Sequence, residues 1–373
     1  MILLNKKLNL LKKDIDLGKS ISVMIIGLGS VGNLLLNYLV SLSDSKINIV
    51  VVGRNKETLI KDVNIAKVAG TIRGQLCSSI KVDTCDLDNI NEIEKVIAEN
   101  KPNFIVNTSR VCSGLKYGRI SWNNLRAYGI WTPLSIKYIR NIMIAYKNVS
   151  SQAIVINTSF SDAVNPWLKS AGLAYPDFGS GNLTHLIPRI KFVIAQKFNI
   201  SNLNDIDITL ATSHFHNVVI SKEGHDEGLE QLLVAKYFGE ELEIDKKQIF
   251  ESCTIAMPND QKRNMMNASS NFEIITKIIR ALRNNIIVKF HSPGFVGSIG
   301  GYPVLIDNSK EKVSVRYDTS DFSVKEMQDA NMKSIYLDGI DNIKNGSLVY
   351  THELIKKVNL IFFGYIFNQC LYL

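Results

Sequence analysis

Apolar and polar positions fall into two alternating periods over the first half of the chain. Residues 23–26 form an unbroken apolar run, and residues 31–42 carry apolar side chains at spacings of three and four. A buried strand followed by an amphipathic helix explains the pair. The pair recurs as "INIVVV" (47–52) with a helix over 57–69, a short strand at 79–82 with a helix over 90–99, and "FIV" (104–106) with a helix over 131–145; "AIVI" (153–156) adds a fifth strand. Regular strand–helix alternation predicts an α/β fold, a doubly wound parallel sheet with helices on both faces, over residues 21–165. Residues 1–20 predict a short amphipathic helical extension. From residue 166 the pattern is mixed. It predicts a helix over 183–198 despite Pro188, a strand at 206–211, helices over 229–238 and 268–283, strands at 285–290 and 312–317, and a helix near Leu354. Residues 166–373 therefore read as an α+β substrate domain.

Composition adds little to this picture but excludes several partners. Of 373 residues, 46% are hydrophobic and 21% charged, ordinary for a globular protein. The net charge of +8 is scattered, with no basic block interleaved with aromatics. That argues against nucleic acid and suits an anionic cofactor or substrate. Cys77, Cys85, Cys112, Cys253 and Cys370 are odd in number and widely spaced, as expected of reduced thiols in a cytoplasmic protein without a zinc site. Residues 358–373 are very apolar but fall short of the roughly 20 residues a membrane helix needs. They predict a buried helix or a subunit interface in a homodimer or higher homo-oligomer, not a membrane anchor.

The first strand–helix junction carries the chemistry. Gly27, Gly29 and Gly32 in "GLGSVG" stand as G-x-G-x-x-G between the strand and the helix. The first permits a tight turn, the second lets the backbone approach a pyrophosphate, and the third lets helix pack on strand. With Ser30 and Val31 they would place that pyrophosphate on the helix N-terminus. The sheet is thus Rossmann-type. In "VVVGRNKET", Gly53 occupies the place where an NAD site carries a carboxylate for the ribose 2′-hydroxyl. Arg54 follows, with Asn55 and Lys56 nearby, and a guanidinium there can clamp a 2′-phosphate. NADP is expected over NAD. Asp86 ends the third strand and Asn107, Thr108 and Ser109 end the fourth, where they would line the rest of the nucleotide.

The glycine loop, the arginine-bearing loop after the fourth strand and the run "IVINTSFSDAVNPWLKSAGLAYPDFGSGNLTHLIPRIKF" together resemble the lactate/malate dehydrogenase fold, which family-4 glycosidases share. "VGRN" and the third-strand pattern are also similar to saccharopine- and opine-type reductases. The resemblance implies arginines for substrate in the loop after the fourth strand, here Arg119 as a catalytic group and Arg110 for a carboxylate. It implies an asparagine after the fifth strand, matched by Asn157, and a general-acid histidine after a strand of the second half. "ATSHFHNVV" offers His214 and His216, which would face oppositely if extended, so one faces the cleft and His214 is favoured. The family's orienting aspartate and carboxylate-clamping arginine fall on Thr184 and Ile187, which can do neither task. His185 and Arg189 lie beside those positions, but neighbouring helical residues face differently. Asp205 and Asp207 are the candidate orienters nearby.

The glycine-rich "KFHSPGFVGSIGGYPVLID" (289–307) lies between two strands and reads as a pocket wall offering His291 and Tyr302 to substrate, or as a structural double turn. The histidines do not form a known zinc spacing, and no metal is expected. The expected function is an NADP-dependent oxidoreductase acting on a carbonyl/hydroxyl or imine/amine centre of a small carboxylate-bearing metabolite. Alternatives are a nucleotide-dependent hydrolase or lyase of the family-4 glycosidase type, and a non-catalytic NADP-binding sensor.

Overall fold

The computed structural model describes residues 1–373 except 77, 113–117, 119, 259 and 362–369. Arg119 and half of the apolar C-terminal run therefore lie outside the described residues. The chain runs α1 (Ile2–Asp16), β1 (Ile21–Ile26), α2 (Ser30–Ser41), β2 (Ile47–Gly53), α3 (Lys56–Ile72), β3 (Ser79–Thr84), α4 (Ile90–Asn100) and β4 (Phe104–Asn107). It continues with a π-helical turn (Ser121–Leu125), α5 (Thr132–Asn148), β5 (Ile154–Asn157), α6 (Ser161–Ser170), β6 (Phe178–Gly179) and α7 (Leu183–Phe198). Then come β7 (Ile206–Ala211), α8 (His214–Glu223), β8 (Leu232–Tyr237), β9 (Glu240–Glu241), α9 (Lys246–Ser252) and α10 (Asn264–Asn284). The chain closes with β10 (Ile287–Pro293), β11 (Gly301–Asp307), β12 (Ser314–Tyr317), α11 (Val324–Leu337), β13 (Ile340–Lys344), β14 (Ser347–Tyr350), α12 (His352–Ile361) and β15 (Cys370–Tyr372).

Six parallel strands form one sheet in the order β3-β2-β1-β4-β5-β6, as the alternating pattern predicts. In β1, Val23 and Ile25 join one core with α1, α2, α3 and α10, while Met24 and Ile26 join the opposite core with α4 and α5. Successive side chains thus enter opposite layers, which is why the strand is apolar from Val23 to Ile26. The order reverses between β1 and β4. There the loops after both strands part, and α/β sheets bind ligands at that crevice. Among the described residues, three small antiparallel sheets, β7-β8-β9, β10-β11-β12 and β13-β14-β15, accompany it.

One expected helix is a strand, and the glycine-rich stretch takes one of its two readings. Residues 229–238 carry apolar side chains at helical spacing, but 232–237 form β8, paired along its length with β7 from Ala211↔Leu232 to Ile206↔Tyr237. Cross-strand pairing overrides the local period. The stretch 289–307 is the β10–β11 hairpin, with Pro293↔Gly301 as its last pair. Its turn folds against α6: a Cβ at Gly294 would lie 2.2 Å from the Ser161 carbonyl oxygen. That is the double turn; of this stretch, residues 289–291 line a small pocket of about 300 Å³ beside α7, away from the glycine loop. No helix among the described residues is long and apolar enough to cross a membrane.

The N-terminal helix is a structural strut. Leu4, Leu8 and Leu11 are buried on one face. Asn9 exchanges two hydrogen bonds with the backbone of Val313, and Lys7 pairs with Asp177 at 2.6 Å with both side chains nearly inaccessible. Leu8→Ala is expected to destabilise the fold by about 2–5 kcal/mol, read as a lower urea midpoint.

Candidate active site

A cleft of about 850 Å³ opens at the carboxyl ends of β1 and β4. One end is the glycine loop. Gly27 has φ +94, and a Cβ on it would lie 2.8 Å from the backbone of Ser109. A Cβ on Gly32 would lie 2.3 Å from the Gly27 carbonyl oxygen, so the helix packs as the motif requires. A Cβ on Gly29 would meet nothing within 4 Å. Gly29 is also the N-cap of α2 and supplies no side-chain cap to the first amides. The loop is thus shaped to cradle an anion on free N–H groups. Gly27, Gly29, Ser30, Val31, Arg54, Asn55, Thr108, Ser109 and Arg110 all line this cleft. Thr108 donates to the Gly27 carbonyl, tying the two loops together. Asn55 caps α3 by accepting from the Thr58 amide at 3.0 Å, while exposed Arg54 has its guanidinium free of that task.

At the other end lies His214, the first residue of α8. Its Nδ1–H donates to Asp338 Oδ2 at 2.7 Å, and Asp338 is completely buried just past α11. The other Asp338 oxygen accepts from the Tyr128 amide at 2.7 Å, and the Asp338 carbonyl accepts from Gly129 N at 2.8 Å. Asp338 therefore fixes both the histidine and the segment entering α5. The imidazole is clamped edge-on by Tyr128 (4.6 Å between centroids) and Phe160 (5.2 Å). Burial works against its charged form, but Asp338 outweighs it, aided by Asp162, so the pKa is raised against the opposing charge of Arg110. With Nδ1 committed, Nε2 is the nitrogen left to exchange a proton in the cleft. Asp162 is itself wholly buried, its carboxyl pushed up by desolvation, and it accepts from Asn182. Phe160 (φ 44) and Asn182 (φ 38) both line the cleft in left-handed backbone, strain of the kind concentrated at functional sites.

The other residues singled out from sequence lie elsewhere. His216 points away from the cleft, its Nδ1 paired with Ser334 Oγ at 2.7 Å and its Nε2 with the Asp226 carbonyl at 3.0 Å. Helical rather than extended backbone separates it from His214. Asn107 and Asn157 are buried beneath the site, bonded to each other at 3.0 Å. Asp86 turns outward and accepts from Asp88 N, leaving Leu87 to line the cleft. His291 is buried, its Nε2 accepting from the Leu210 amide at 3.3 Å; burial and the lysines around it hold its pKa well below the ordinary value. Tyr302 is buried and donates to the Ile299 carbonyl at 2.7 Å. Neither reaches the cleft.

Several cleft residues escaped the sequence reading. His185 and Arg189 both line it, one helical turn apart on α7, while Thr184 turns to Ser270. The i, i+4 spacing was the available signal, hidden by fixing the register on Thr184 and Ile187. Asp205 is in an exposed turn and Asp207 pairs with Lys289, so neither orients a histidine. Cys112 also lines the cleft. Among the described residues the sole group with metal-binding spacing is exposed Glu223, His225 and Glu227, and Arg126 already pairs with both glutamates.

No family model matches the chain, and no curated protein matches it in sequence. Solved structures do. The malate dehydrogenase of Cryptosporidium parvum superposes with a TM-score of 0.56 at 13% identity, over 86% of this chain and 98% of that one. The malate dehydrogenase of Aeropyrum pernix gives 0.55 at 15% identity, over 85% and 97%. The lactate dehydrogenase of Eimeria maxima, solved with NADH and oxamate, gives 0.50 at 12% identity, over 85% and 93%. At these identities the likeness is one of fold: this chain folds as malate and lactate dehydrogenases do.

Proposed function

We propose that the chain is an NADP-dependent oxidoreductase acting on a carbonyl/hydroxyl or imine/amine centre of a small carboxylate-bearing metabolite. The observation that carries this reading is the 2.7 Å His214–Asp338 pair in the same cleft as the glycine loop. The glycine cradle and the uncapped start of α2 fit a dinucleotide pyrophosphate. A nicotinamide bound there would supply or accept a hydride. His214 donates a proton to the nascent alcohol or amine in reduction and accepts it in oxidation. Arg110, which donates to the Thr158 carbonyl at 3.1 Å and lines the same cleft as His214, would hold a substrate carboxylate. The dehydrogenase neighbours support this chemistry by analogy of fold, and the solved lactate dehydrogenase carries both a nicotinamide nucleotide and oxamate. In this reading residues 21–165 hold the nucleotide, residues 166–373 hold most of the substrate, and the protein works in the cytoplasm as a homo-oligomer.

Arg54 sets the cofactor. Calorimetric titration is expected to show NADP binding more tightly than NAD. Arg54→Ala should weaken NADP about tenfold or more, through loss of a charge-assisted contact, and leave NAD unchanged. Equal affinities in the wild type would overturn the NADP assignment.

A further inference from the structure

Seven buried side-chain polar atoms lack a hydrogen-bond partner among the described residues, and four of them belong to residues lining the cleft. They are His185 Nε2 and Arg189 Nε on α7, and Asn217 Oδ1 and Ser221 Oγ on α8. Each pair is spaced i, i+4, so each helix presents its two groups on one face. Buried polar groups are normally satisfied, and a cluster of exceptions on facing helices calls for a ligand.

The charge on this wall is also unbalanced. Arg189 is 3% exposed, yet among the described residues its guanidinium meets only the carbonyls of Cys253 (2.8 Å) and Ile255 (3.3 Å) and the Met257 sulfur. Arg263 and Lys222 line the same cleft. Glu223, beside Lys222, is committed to Arg126, and Asp260 caps its own turn by accepting from Lys262 N at 2.8 Å. Burial and the charge of Arg263 together depress both Arg189 and Lys222, and at Lys222 only Glu223 opposes them. His185 is driven to about 4 by burial and by both arginines, so it is neutral at pH 7. Neutral, it leaves its orphaned Nε2 available to a ligand.

We propose that this wall is a subsite for a doubly charged oxyanion group of the substrate, of the phosphate-monoester type, with adjoining hydroxyl or N–H groups meeting His185, Asn217 and Ser221. The inference rests on the oxidoreductase reading of the cleft and adds a second anionic group to the carboxylate assigned to Arg110. One planar carboxylate is matched by one guanidinium fork. Three cations from three separate elements match a group carrying about −1.5 to −2 charge on three oxygens.

The test titrates the full chain, without nucleotide, with inorganic phosphate, glycerol 3-phosphate and acetate, by calorimetry. Glycerol 3-phosphate should bind most tightly, phosphate next, and acetate at least about tenfold more weakly than phosphate. Arg263→Gln and Lys222→Gln should each weaken phosphate about tenfold or more. These two are chosen because Arg189 also anchors residues 253–257. Ser221→Ala should weaken glycerol 3-phosphate and leave phosphate unchanged. Phosphate affinity unaltered in both charge variants, or acetate as effective as phosphate, would overturn the subsite. Glycerol 3-phosphate binding no better than free phosphate would overturn the part assigned to His185, Asn217 and Ser221. Nucleotide affinity is read separately, so loss of the NADP assignment and loss of this subsite are distinguishable.

Discussion

Replacing His214 by asparagine is expected to slow reduction about 10²–10⁴-fold while leaving nucleotide affinity unchanged. The rate is read as NADPH absorbance lost with any keto acid, or keto acid plus amine, that the wild type reduces; the affinity is read by calorimetry. The reasoning is geometric. His214 has one nitrogen fixed by Asp338, its ring held between Tyr128 and Phe160, and its position at the start of α8 faces the cleft. Asparagine keeps polarity and approximate size but cannot shuttle a proton. The parallel change His216→Asn separates this role from a structural one. His216 is wholly buried between Ser334 and the Asp226 carbonyl, so its loss should lower the urea midpoint and leave the rate of folded enzyme within a few-fold. A His214 variant keeping more than a tenth of the wild-type rate would remove it from the chemistry.

The parallel sheet was readable because its signal is local and repeated. The strands β1, β2, β4 and β5 are apolar runs, helical spacing follows each of β1 to β4, and β1 places consecutive residues in opposite cores. The glycine loop was readable for the same reason: its three glycines answer to contacts within one strand–turn–helix unit and the adjacent loop at Ser109. The substrate end was not. Asp338 lies 124 residues from His214, in a turn after a helix that the pattern did not single out. Nearby aspartates were the natural substitutes, yet Asp207 had a lysine to neutralise. His185 and Arg189 are hidden by the rule that adjacent helical residues diverge. That is true of each against its neighbour, but the two share a face with one another. Residues 229–238 failed differently, since apolar side chains on both faces of a strand mimic helical spacing until a partner strand decides.

Asp338 should control the pH dependence, and the direction follows from the groups around the imidazole. In the wild type the raised pKa of His214 keeps the proton-donating form populated above the ordinary histidine range. Reduction therefore falls as pH rises through that raised value, while oxidation, which needs the neutral ring, rises over the same interval. Asp338→Asn removes the principal charge favouring imidazolium. Burial and Arg110 then act against only Asp162, so the pKa drops. The midpoint of kcat/KM for reduction is expected to move down by about 1–3 pH units, the usual reach of one adjacent opposite charge. At pH 7 the variant loses reduction more than oxidation. Asparagine can still accept at Tyr128 N, which keeps the backbone anchor and distinguishes the electrostatic effect from collapse of the segment entering α5. The linked stability change has the same sign: a raised folded pKa contributes stability that is complete below the unfolded value near 6.5 and is lost as pH rises through the folded one. The wild type should thus lose more stability than Asp338→Asn over that interval. If the two proteins give superimposable pH–rate profiles, Asp338 holds the fold of this corner and does not set the acidity of His214.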